Sequence, residues 1–350
     1  MLLKDVRWKK FKIVEILGNS NNSKAYHSEN LKFSIQNEKG IPYITRTNLN
    51  NGFFSIVKYD DYKINPANTI TLGAENAKYF YQPYPYITGN KMYYYNSKKI
   101  NKYSGLFITA CLNDSIKNCG FGYGMGLTGT RSDTRNFMLP INDNDEPDFE
   151  FMEQYIKNIL FKEINDIKEY CKFVILNINN KNISKLSEKK WKAFNINYIF
   201  PYIQRGKRLK KGDHKVGNIP YVSSTKMNNG VDNFINNKEG KRFCNCITIA
   251  NSGSVGASFY HQYEFIGSDH ITALKNEKFN KYIYLFLTTI VSRISDKYSF
   301  NREINDFRIS NEKILLPVNE DGNPDYEYME QYIKNIMYKQ YKRYLDVLEG

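Results

Sequence analysis

The chain has few cysteines, few histidines and no long hydrophobic run. Its 350 residues include five cysteines and four histidines, and no CxxC pair occurs. The spacing of a zinc site is therefore missing, and free thiols in a reducing compartment are expected. No stretch of apolar residues is long enough to span a membrane, and the first residues lack the apolar core of a signal peptide. These absences predict a cytoplasmic protein without a metal of its own and without a membrane partner.

Acidic residues are also in deficit. Fifty Lys and Arg residues stand against 36 Asp and Glu, which gives a formal net charge of +14. A surplus of this size favours a polyanionic partner, and we expect nucleic acid. A host whose proteins are all basic is the alternative. The hydrophobic content of 41% and the charged content of 25% are typical of globular proteins, and the length is sufficient for two domains.

The chain contains an internal repeat. The segment MEQYIKNI at Met152–Ile159 recurs unchanged at Met329–Ile336. Weaker matches follow in the same order: WKKF at Trp8 and WKAF at Trp191, IPYITRTNLNNG from Ile41 and IPYVSSTKMNNG from Ile219, NKYSGLFIT from Asn101 and NKYIYLFLT from Asn280. Each half is therefore predicted to hold the same module followed by a helix. The segments between the matches diverge, which suggests that the two modules recognise different things.

The early part of each half has the pattern of short strands. β-branched and aromatic runs are broken by Asn, Gly and Pro, and the NNG triplets at Asn50–Gly52 and Asn228–Gly230 are turn signals. Strands are predicted at Tyr43–Thr45, Phe53–Val57, Thr69–Leu72, Tyr86–Tyr95, Tyr221–Ser223, Cys246–Ala250 and Glu264–Leu274. Helices are predicted at Lys102–Asn113 and Lys281–Asp296. The expected fold class is mixed α/β, with two repeated modules.

A long helix is predicted after each Leu-Pro segment. Asp148 and Asp325 are the expected N-caps, because each follows a proline and precedes a first turn that contains an acidic residue. The first helix carries an apolar stripe of Met152, Ile156, Leu160, Ile164, Ile167 and Cys171. The second carries Met329, Ile333, Met337, Tyr341, Leu345 and Leu348. Such stripes need a partner surface. We favour an antiparallel pair of the two helices, with packing of each stripe on its own module as the alternative.

The predicted length of these helices is informative. Each spans roughly 24 residues, or about 36 Å, which is close to one turn of B-DNA. Helices of this length would hold two DNA-binding modules at a fixed separation.

At this point the residues resemble a known family. The layout is similar to the specificity subunits of type I restriction–modification systems, and more closely to their BcgI-type relatives, whose recognition domains end in an LP…G.PD…ME.YI signature. The second copy contains Leu316-Pro317, Gly322-Asn-Pro-Asp325 and Met329-Glu-Gln-Tyr-Ile333. The first copy has Glu146 in place of the glycine. The resemblance covers nearly the whole chain.

The resemblance implies a function and a set of partners. Each module would be a target-recognition domain that reads one half of a split sequence in double-stranded DNA. The helices would separate the modules and dock adenine methyltransferase subunits, two in number, with a nuclease subunit or a nuclease domain of the partner. The chain itself would bind no cofactor, since S-adenosylmethionine and Mg²⁺ would belong to the partners. A stand-alone DNA-binding regulator is the alternative.

This interpretation divides the chain into four parts. The first target-recognition domain is expected at residues 1–147 and the second at 189–324. A central spacer helix with its linker would occupy 148–188, and a C-terminal spacer helix 325–350.

Basic residues in loops are the candidates for contact with DNA. The run Arg205-Gly-Lys-Arg-Leu-Lys-Lys211 would neutralise phosphates, although an ordinary solvated loop is the alternative. Arginine also binds guanine with two hydrogen bonds. The candidate DNA-binding residues are Arg46, Arg131, Arg135, Arg205, Lys207, Arg208, Lys210, Lys211 and Lys226.

Three patterns suggest catalysis and fail on closer reading. The glycine-rich segments Gly120–Gly126 and Asn251–Gly256 lack the strand–loop–helix context or the lysine of a nucleotide-binding loop. Pro147-Asp148 with Asp166-Ile-Lys168 formally fits a nuclease motif, but these residues would lie on one helix about five turns apart. The four histidines have no nucleophile partner in the sequence. We therefore expect a non-catalytic subunit.

Overall fold

The structure is a computed structural model that describes residues 2–35, 38–122, 124–298 and 302–349. The chain forms two compact units, Met1–Asp166 and Ile167–Gly350, which divide inside a long helix. Both units mix helices with β-sheets. Within the described ranges, no helix is both long and apolar enough to cross a membrane.

In the part of the chain that the structure describes, the first unit contains nine strands and begins the first long helix. Its strands are β1 (Trp8–Lys12), β2 (Asn21–Asn22), β3 (Ile41–Ile44), β4 (Phe53–Val57), β5 (Thr69–Gly73), β6 (Lys78–Gln82), β7 (Ile87–Thr88), β8 (Met92–Tyr95) and β9 (Asn136–Pro140). Its helices are α1 (Ile13–Leu17), α2 (Lys102–Ser115), α3 (Gly129–Asp133) and α4 (Phe149–Asn177), the last of which continues into the second unit.

The second unit repeats this order of elements. Its strands are β10 (Trp191–Asn195), β11 (Tyr202–Arg205), β12 (Val216–Val222), β13 (Val231–Ile235), β14 (Lys241–Phe243), β15 (Cys246–Ala250), β16 (Ser258–His261), β17 (Phe265–Gly267), β18 (Ile271–Lys275) and β19 (Lys313–Pro317). Its helices are α5 (Ile196–Ile199), α6 (Lys281–Ser292), α7 (Asp306–Asn311) and α8 (Tyr326–Glu349).

The two units share one topology, which confirms the internal repeat. The order β2-β8-β5-β6 in the first unit matches β11-β18-β15-β16 in the second, and β4-β3-β7 matches β13-β12-β17, to which the second unit adds β14. A two-stranded ribbon, β1-β9 or β10-β19, completes each unit. Even the register is the same, because Trp8 pairs with Pro140 and Trp191 pairs with Pro317.

A helix covers the four-stranded sheet of each unit. Strands β5 and β15 are buried along their whole length, as β-branched strands at the centre of a covered sheet should be. Helix α2 begins at Asn101 and α6 begins at Asn280, and each Asn side chain accepts hydrogen bonds from two amides of the first turn. Phe107 of α2 and Leu287 of α6 are buried in the cores of their units.

The NNG triplets form the same left-handed turn in both units. Asn50, Asn51 and Gly52 have φ values of 50°, 57° and 76°, and the triplet at Asn228–Gly230 has 49°, 54° and 81°. Asn and Gly are the residues that enter this region most readily. The conformation explains why both copies contain the same three residues, and it confirms the predicted turns.

The strand predictions are correct in part. Phe53–Val57 and Cys246–Ala250 are strands with the predicted limits. Tyr86–Tyr95 and Glu264–Leu274 are not single strands, and this part of the prediction was wrong. Each segment makes a turn in the middle, so that its first half joins one sheet and its second half another. In the first unit the turn includes Lys91, which has a φ of 57°.

Both long helices begin where the sequence predicts. The Asp148 carboxylate accepts a hydrogen bond from the Phe151 amide at 2.8 Å, and Asp325 accepts one from Tyr328 at 3.0 Å. The two aspartates are therefore N-caps. Helix α8 has the expected 24 residues, whereas α4 is longer, with 29.

The first turns of these helices pack on their own modules, which explains the repeated MEQYI sequence. In the second unit Met329 is fully buried in the core, and the Tyr332 ring meets Phe286 edge-on at 5.8 Å. Glu330 accepts a hydrogen bond from Asn280 at 2.7 Å. Equivalent contacts occur in the first unit. Each helix is thereby fixed to the module that precedes it.

Other residues of the apolar stripes differ in what covers them. Ile156 and Ile333 pack against the cores of their own units, as the alternative interpretation expects. Ile164 and Ile167 are 38% and 44% exposed. Inside the second unit, Tyr341 of α8 lies with its ring 5.8 Å from that of Tyr170 in the last part of α4. Antiparallel pairing along the full length of the two helices stays a prediction.

Candidate nucleic-acid interface

The basic run between Arg205 and Lys211 lies along the edge of a sheet. The amide of Gly206 donates to the Ile271 carbonyl at 3.0 Å, and the amide of Lys207 donates to Gly267 at 3.0 Å. The side chains of Lys207, Arg208, Lys210 and Lys211 are exposed. A backbone fixed to a sheet with its cationic groups in solvent is suited to binding a phosphate chain.

Hydrogen bonds attach this run to a neighbouring turn. The Arg205 Nε donates to the carbonyl oxygen of Asp269 at 2.6 Å, in the turn between β17 and β18. The hydroxyl of Tyr221 donates to the Leu209 carbonyl at 3.3 Å. Lys226, in the connection from β12 to β13, is exposed. The structure thus places Arg205 beside a turn of the second unit that the sequence did not single out.

Arg46 belongs to an ionic cluster in the first unit. Its Nη1 donates to the carboxylate of Glu75, and the Nζ of Lys91 donates to the other oxygen of the same carboxylate. Glu75 is buried, with 10% of its side chain exposed. The hydrogen bond from Lys91 and the charge of Arg46 lower the pKa of Glu75 below its ordinary value, so the carboxylate is ionised at neutral pH. Glu75 and Lys91 were missed because they lie in segments where the two copies diverge.

The other two arginine candidates are bound within the first unit. Arg131 donates from Nη1 to the Gly126 carbonyl at 2.9 Å. The guanidinium of Arg135 lies 5.0 Å from the centre of the Phe121 ring and donates to the Ser115 carbonyl at 3.4 Å. These bonds give both residues a structural role. A contact of either with DNA stays a prediction.

The residues of the formal nuclease motif do not form a site. Asp148 is the N-cap of α4, while Asp166 and Lys168 follow on the same helix. Eighteen residues of helix separate the two carboxylates by about 27 Å, which is too far for one metal ion. In the parts of the chain that the structure describes, no group of three or more His, Cys, Asp or Glu is placed to hold a metal.

The glycine-rich segments are turns. Gly122 and Met125 form an isolated bridge, while Tyr123 lies outside the described residues. In the second segment the amide of Gly256 donates to the Ala250 carbonyl at 2.9 Å, which closes the hairpin between β15 and β16.

The histidines differ in their surroundings. His261 is fully buried, and its Nε2 is 2.9 Å from the hydroxyl of Thr248. Burial lowers the pKa of His261 to about 4, so it is neutral at physiological pH. The ring of His214 packs on Tyr221 at 4.6 Å. His270 is half exposed and forms a hydrogen bond with Ser252.

Comparison with known proteins gives a consistent result. The family model described as the type I restriction modification DNA specificity domain matches twice, at residues 5–169 and 188–345. The specificity subunit of the type II restriction enzyme BcgI from Heyndrickxia coagulans is 33% identical over 305 residues, which cover 85% of this chain and 86% of that protein. The crystal structure of a type I restriction–modification S subunit from M. genitalium superposes with a TM-score of 0.53 at 14% identity, over 100% of this chain and 95% of the other. The last comparison shows a shared fold.

Proposed function

The chain belongs to the family of type I restriction modification DNA specificity proteins, and we propose that its two modules read two different halves of one split DNA target. It is a specificity subunit, which recognises DNA sequence and leaves catalysis to its partners. The resemblance inferred from the LP, PD and MEQYI segments is confirmed. The relatives give no support to the alternative of a stand-alone regulator.

One observation carries the proposal of two unlike half-sites. The units have the same strand order and the same ribbon register, yet they present different side chains at equivalent places. Strand β11 ends at Arg205, the first residue of the basic run that continues to Lys211, whereas β2 is followed by Ser23-Lys24-Ala25. A common scaffold with different surface chemistry is expected to bind the same type of ligand, here duplex DNA, with different base preferences.

The proposed contacts with DNA fall into two groups. Phosphates would be bound by the exposed cations around β11 and by the two arginines that are fixed in the first unit. This group comprises Arg205, Lys207, Arg208, Lys210, Lys211, Arg131 and Arg135. Arg46 and Lys226, which lie in equivalent connections between strands, would reach the bases. Phosphate contacts supply affinity, and base contacts supply the sequence preference.

The long helices would separate the modules and bind the partners. A restriction–modification specificity subunit acts with methyltransferase and restriction subunits on DNA. We propose that two methyltransferase subunits bind the chain, that they methylate adenine, and that they carry S-adenosylmethionine. Mg²⁺ would serve the nuclease. Helix α4 offers apolar side chains for docking, because Phe161, Phe173 and Leu176 are 69%, 63% and 84% exposed. Because the helices would separate the modules, we also propose that the chain divides into four parts after residues 147, 188 and 324.

The test is an exchange of the first module. Residues 1–140 would be replaced by those of a relative with a different specificity, and the variant would be expressed with its methyltransferase in cells. Sequencing of methylated sites should show one half-site changed and the other retained. A continuous target in the parent, or changes in both half-sites, would contradict the proposal.

A further inference from the structure

Three connections between strands converge at one place in the first unit. Arg46 lies between β3 and β4, Glu75 between β5 and β6, and Lys91 between β7 and β8. The buried carboxylate of Glu75 accepts hydrogen bonds from both cations, whose side chains are 37% and 62% exposed. We refer to Arg46, Glu75 and Lys91 as the first cluster.

The strand register identifies the equivalent residues of the second unit. Gly73 pairs with Met92 in the first unit, as Ala250 pairs with Ile271 in the second. Counting from these pairs, Glu75 corresponds to Ser252 and Lys91 corresponds to His270. The repeat IPYITR and IPYVSS aligns Arg46 with Ser224. We refer to Ser224, Ser252 and His270 as the second cluster.

The second cluster is also held together by hydrogen bonds. The Ser252 hydroxyl lies 2.6 Å from Nδ1 of His270. The Ser224 carbonyl accepts from the amide of Ser254 at 3.0 Å, which joins two of the three connections. The residue before Arg46 and the residue before Ser224 form the same backbone hydrogen bond. The amide of Thr45 donates to the Gly52 carbonyl at 2.8 Å, and the amide of Ser223 donates to the Gly230 carbonyl at 2.9 Å. The strand framework is therefore the same at both clusters, whereas the side chains differ and the connection that carries Ser252 (251–257) is longer than the one that carries Glu75 (74–77).

The surroundings of the clusters are suited to a phosphate backbone. Arg205 is bonded to Asp269, the residue before His270, and the amide of Lys207 is bonded to the start of the same turn. In the first unit the amide of Ser23 donates to Met92 at 3.2 Å, which places exposed Lys24 along the corresponding edge. Exposed cations thus flank each cluster.

The chemistry of the two clusters differs. In the first, Glu75 accepts a hydrogen bond from Nη1 of Arg46. The other N–H groups of the guanidinium are donors, which suit the O6 and N7 acceptors of guanine. In the second, two hydroxyls and an imidazole both donate and accept. Such groups suit a base edge that presents an acceptor next to a donor, as adenine does.

We propose that each cluster is the base-reading site of its module, so that Glu75, Lys91, Ser224, Ser252 and His270 determine specificity together with Arg46. This inference rests on the proposed function of the chain in reading a split target. It predicts a guanine contact for the first module and a different contact at the equivalent base of the other half-site.

The test transfers the second cluster into the first unit. The triple variant Arg46→Ser, Glu75→Ser, Lys91→His is expressed as the full chain with its methyltransferase, and methylated sites are sequenced. We expect a change at one or two bases of the first half-site, with the second half-site and the gap unchanged. Preference for the parent base should fall about 5- to 100-fold, as for the loss of a bidentate base contact. A first half-site identical to the parent's would overturn the proposal.

Two controls make the result specific. Glu38 and Lys58 form an exposed ion pair elsewhere in the first unit, and the variant Glu38→Ser, Lys58→His should leave both half-sites unchanged. If the triple variant does not fold, as judged by its thermal transition, the single variant His270→Gln decides. It should alter only the second half-site, and an unaltered second half-site would overturn the proposal. A parent that directs no methylation to a split site would instead contradict the proposed function.

Discussion

Asn280 donates a hydrogen bond from its side-chain amide to the carboxylate of Glu330 at 2.7 Å. The oxygen of the same Asn side chain accepts from the amides of Tyr282 and Ile283. One residue therefore caps α6 and fixes the first turn of α8 to it. Asn101 and Glu153 form the same link in the first unit. The long helices are thus aligned by the modules from which they emerge.

Replacement of Asn280 by Ala should destabilise the second unit. Loss of an N-cap costs about 1 kcal/mol, and loss of the hydrogen bond to Glu330 adds to it. We therefore expect the free energy of unfolding, measured with urea, to fall by about 1–2 kcal/mol. Asn218→Ala, at an exposed position of β12, is the matched control and should cost much less. In a double-mutant cycle, Asn280→Ala and Glu330→Gln should be non-additive. Equal effects of Asn280→Ala and Asn218→Ala would contradict the prediction.

His261 should make the second unit sensitive to acid. Its pKa is about 4 in the folded protein, against about 6.5 when unfolded. Between these values the unfolded chain binds the proton and the folded chain does not. The free energy of unfolding is therefore unaffected by this residue above pH 6.5 and decreases as the pH falls to 4. The decrease attributable to this residue is about 3 kcal/mol. Urea midpoints measured from pH 4 to pH 7.5 provide the test.

The first unit supplies the appropriate substitution. Gln82 is the register equivalent of His261, and it donates to Thr71 at 3.2 Å much as His261 bonds to Thr248. His261→Gln should therefore keep the fold and flatten the decrease between pH 6.5 and 4. His27→Gln, an exposed position, should leave the decrease as it is. An equally steep decrease in His261→Gln would show that other groups cause it.

Reversal of charge in the basic run should weaken DNA binding of every sequence. Substitution of Lys207, Arg208, Lys210 and Lys211 by Glu removes phosphate contacts, so affinity should fall and its dependence on salt should become less steep. Affinities measured at several salt concentrations for a target and a random duplex provide the test. Reversal of the exposed lysines Lys117, Lys162, Lys278 and Lys342 changes net charge equally and should have a smaller effect. If the two variants behave alike, the run has no specific role.

The length of α4 should determine the gap between half-sites. Four helical residues inserted between Ile159 and Glu169 add about 6 Å, or roughly two base pairs of rise. Methylated sites should then show a longer gap with the same bases on either side, because the modules contact the bases and the helix does not. A changed base at an unchanged gap would refute this function of the helix.

The sequence was informative where structure depends on local chemistry or on repetition. The N-caps Asp148 and Asp325, the left-handed NNG turns and the long helices were predictable, since each depends on neighbouring residues. The first cluster was not, because Arg46 and Glu75 are brought together by sheet topology and the segment around Glu75 has no match in the other copy. The sequence left the partner of the apolar stripes open for a related reason: spacing identifies an apolar face but not the surface that covers it.

The ribbon that closes each module has a consequence for how such proteins diversify. Trp8 lies opposite Pro140, and Trp191 lies opposite Pro317, so the chain enters and leaves each module at adjacent points. A segment whose two ends meet can be exchanged as a block without moving the rest of the chain. Recombination at the short sequences of the two ribbons would thus create a new target specificity in one step, while the helices and everything bound to them stay as they were.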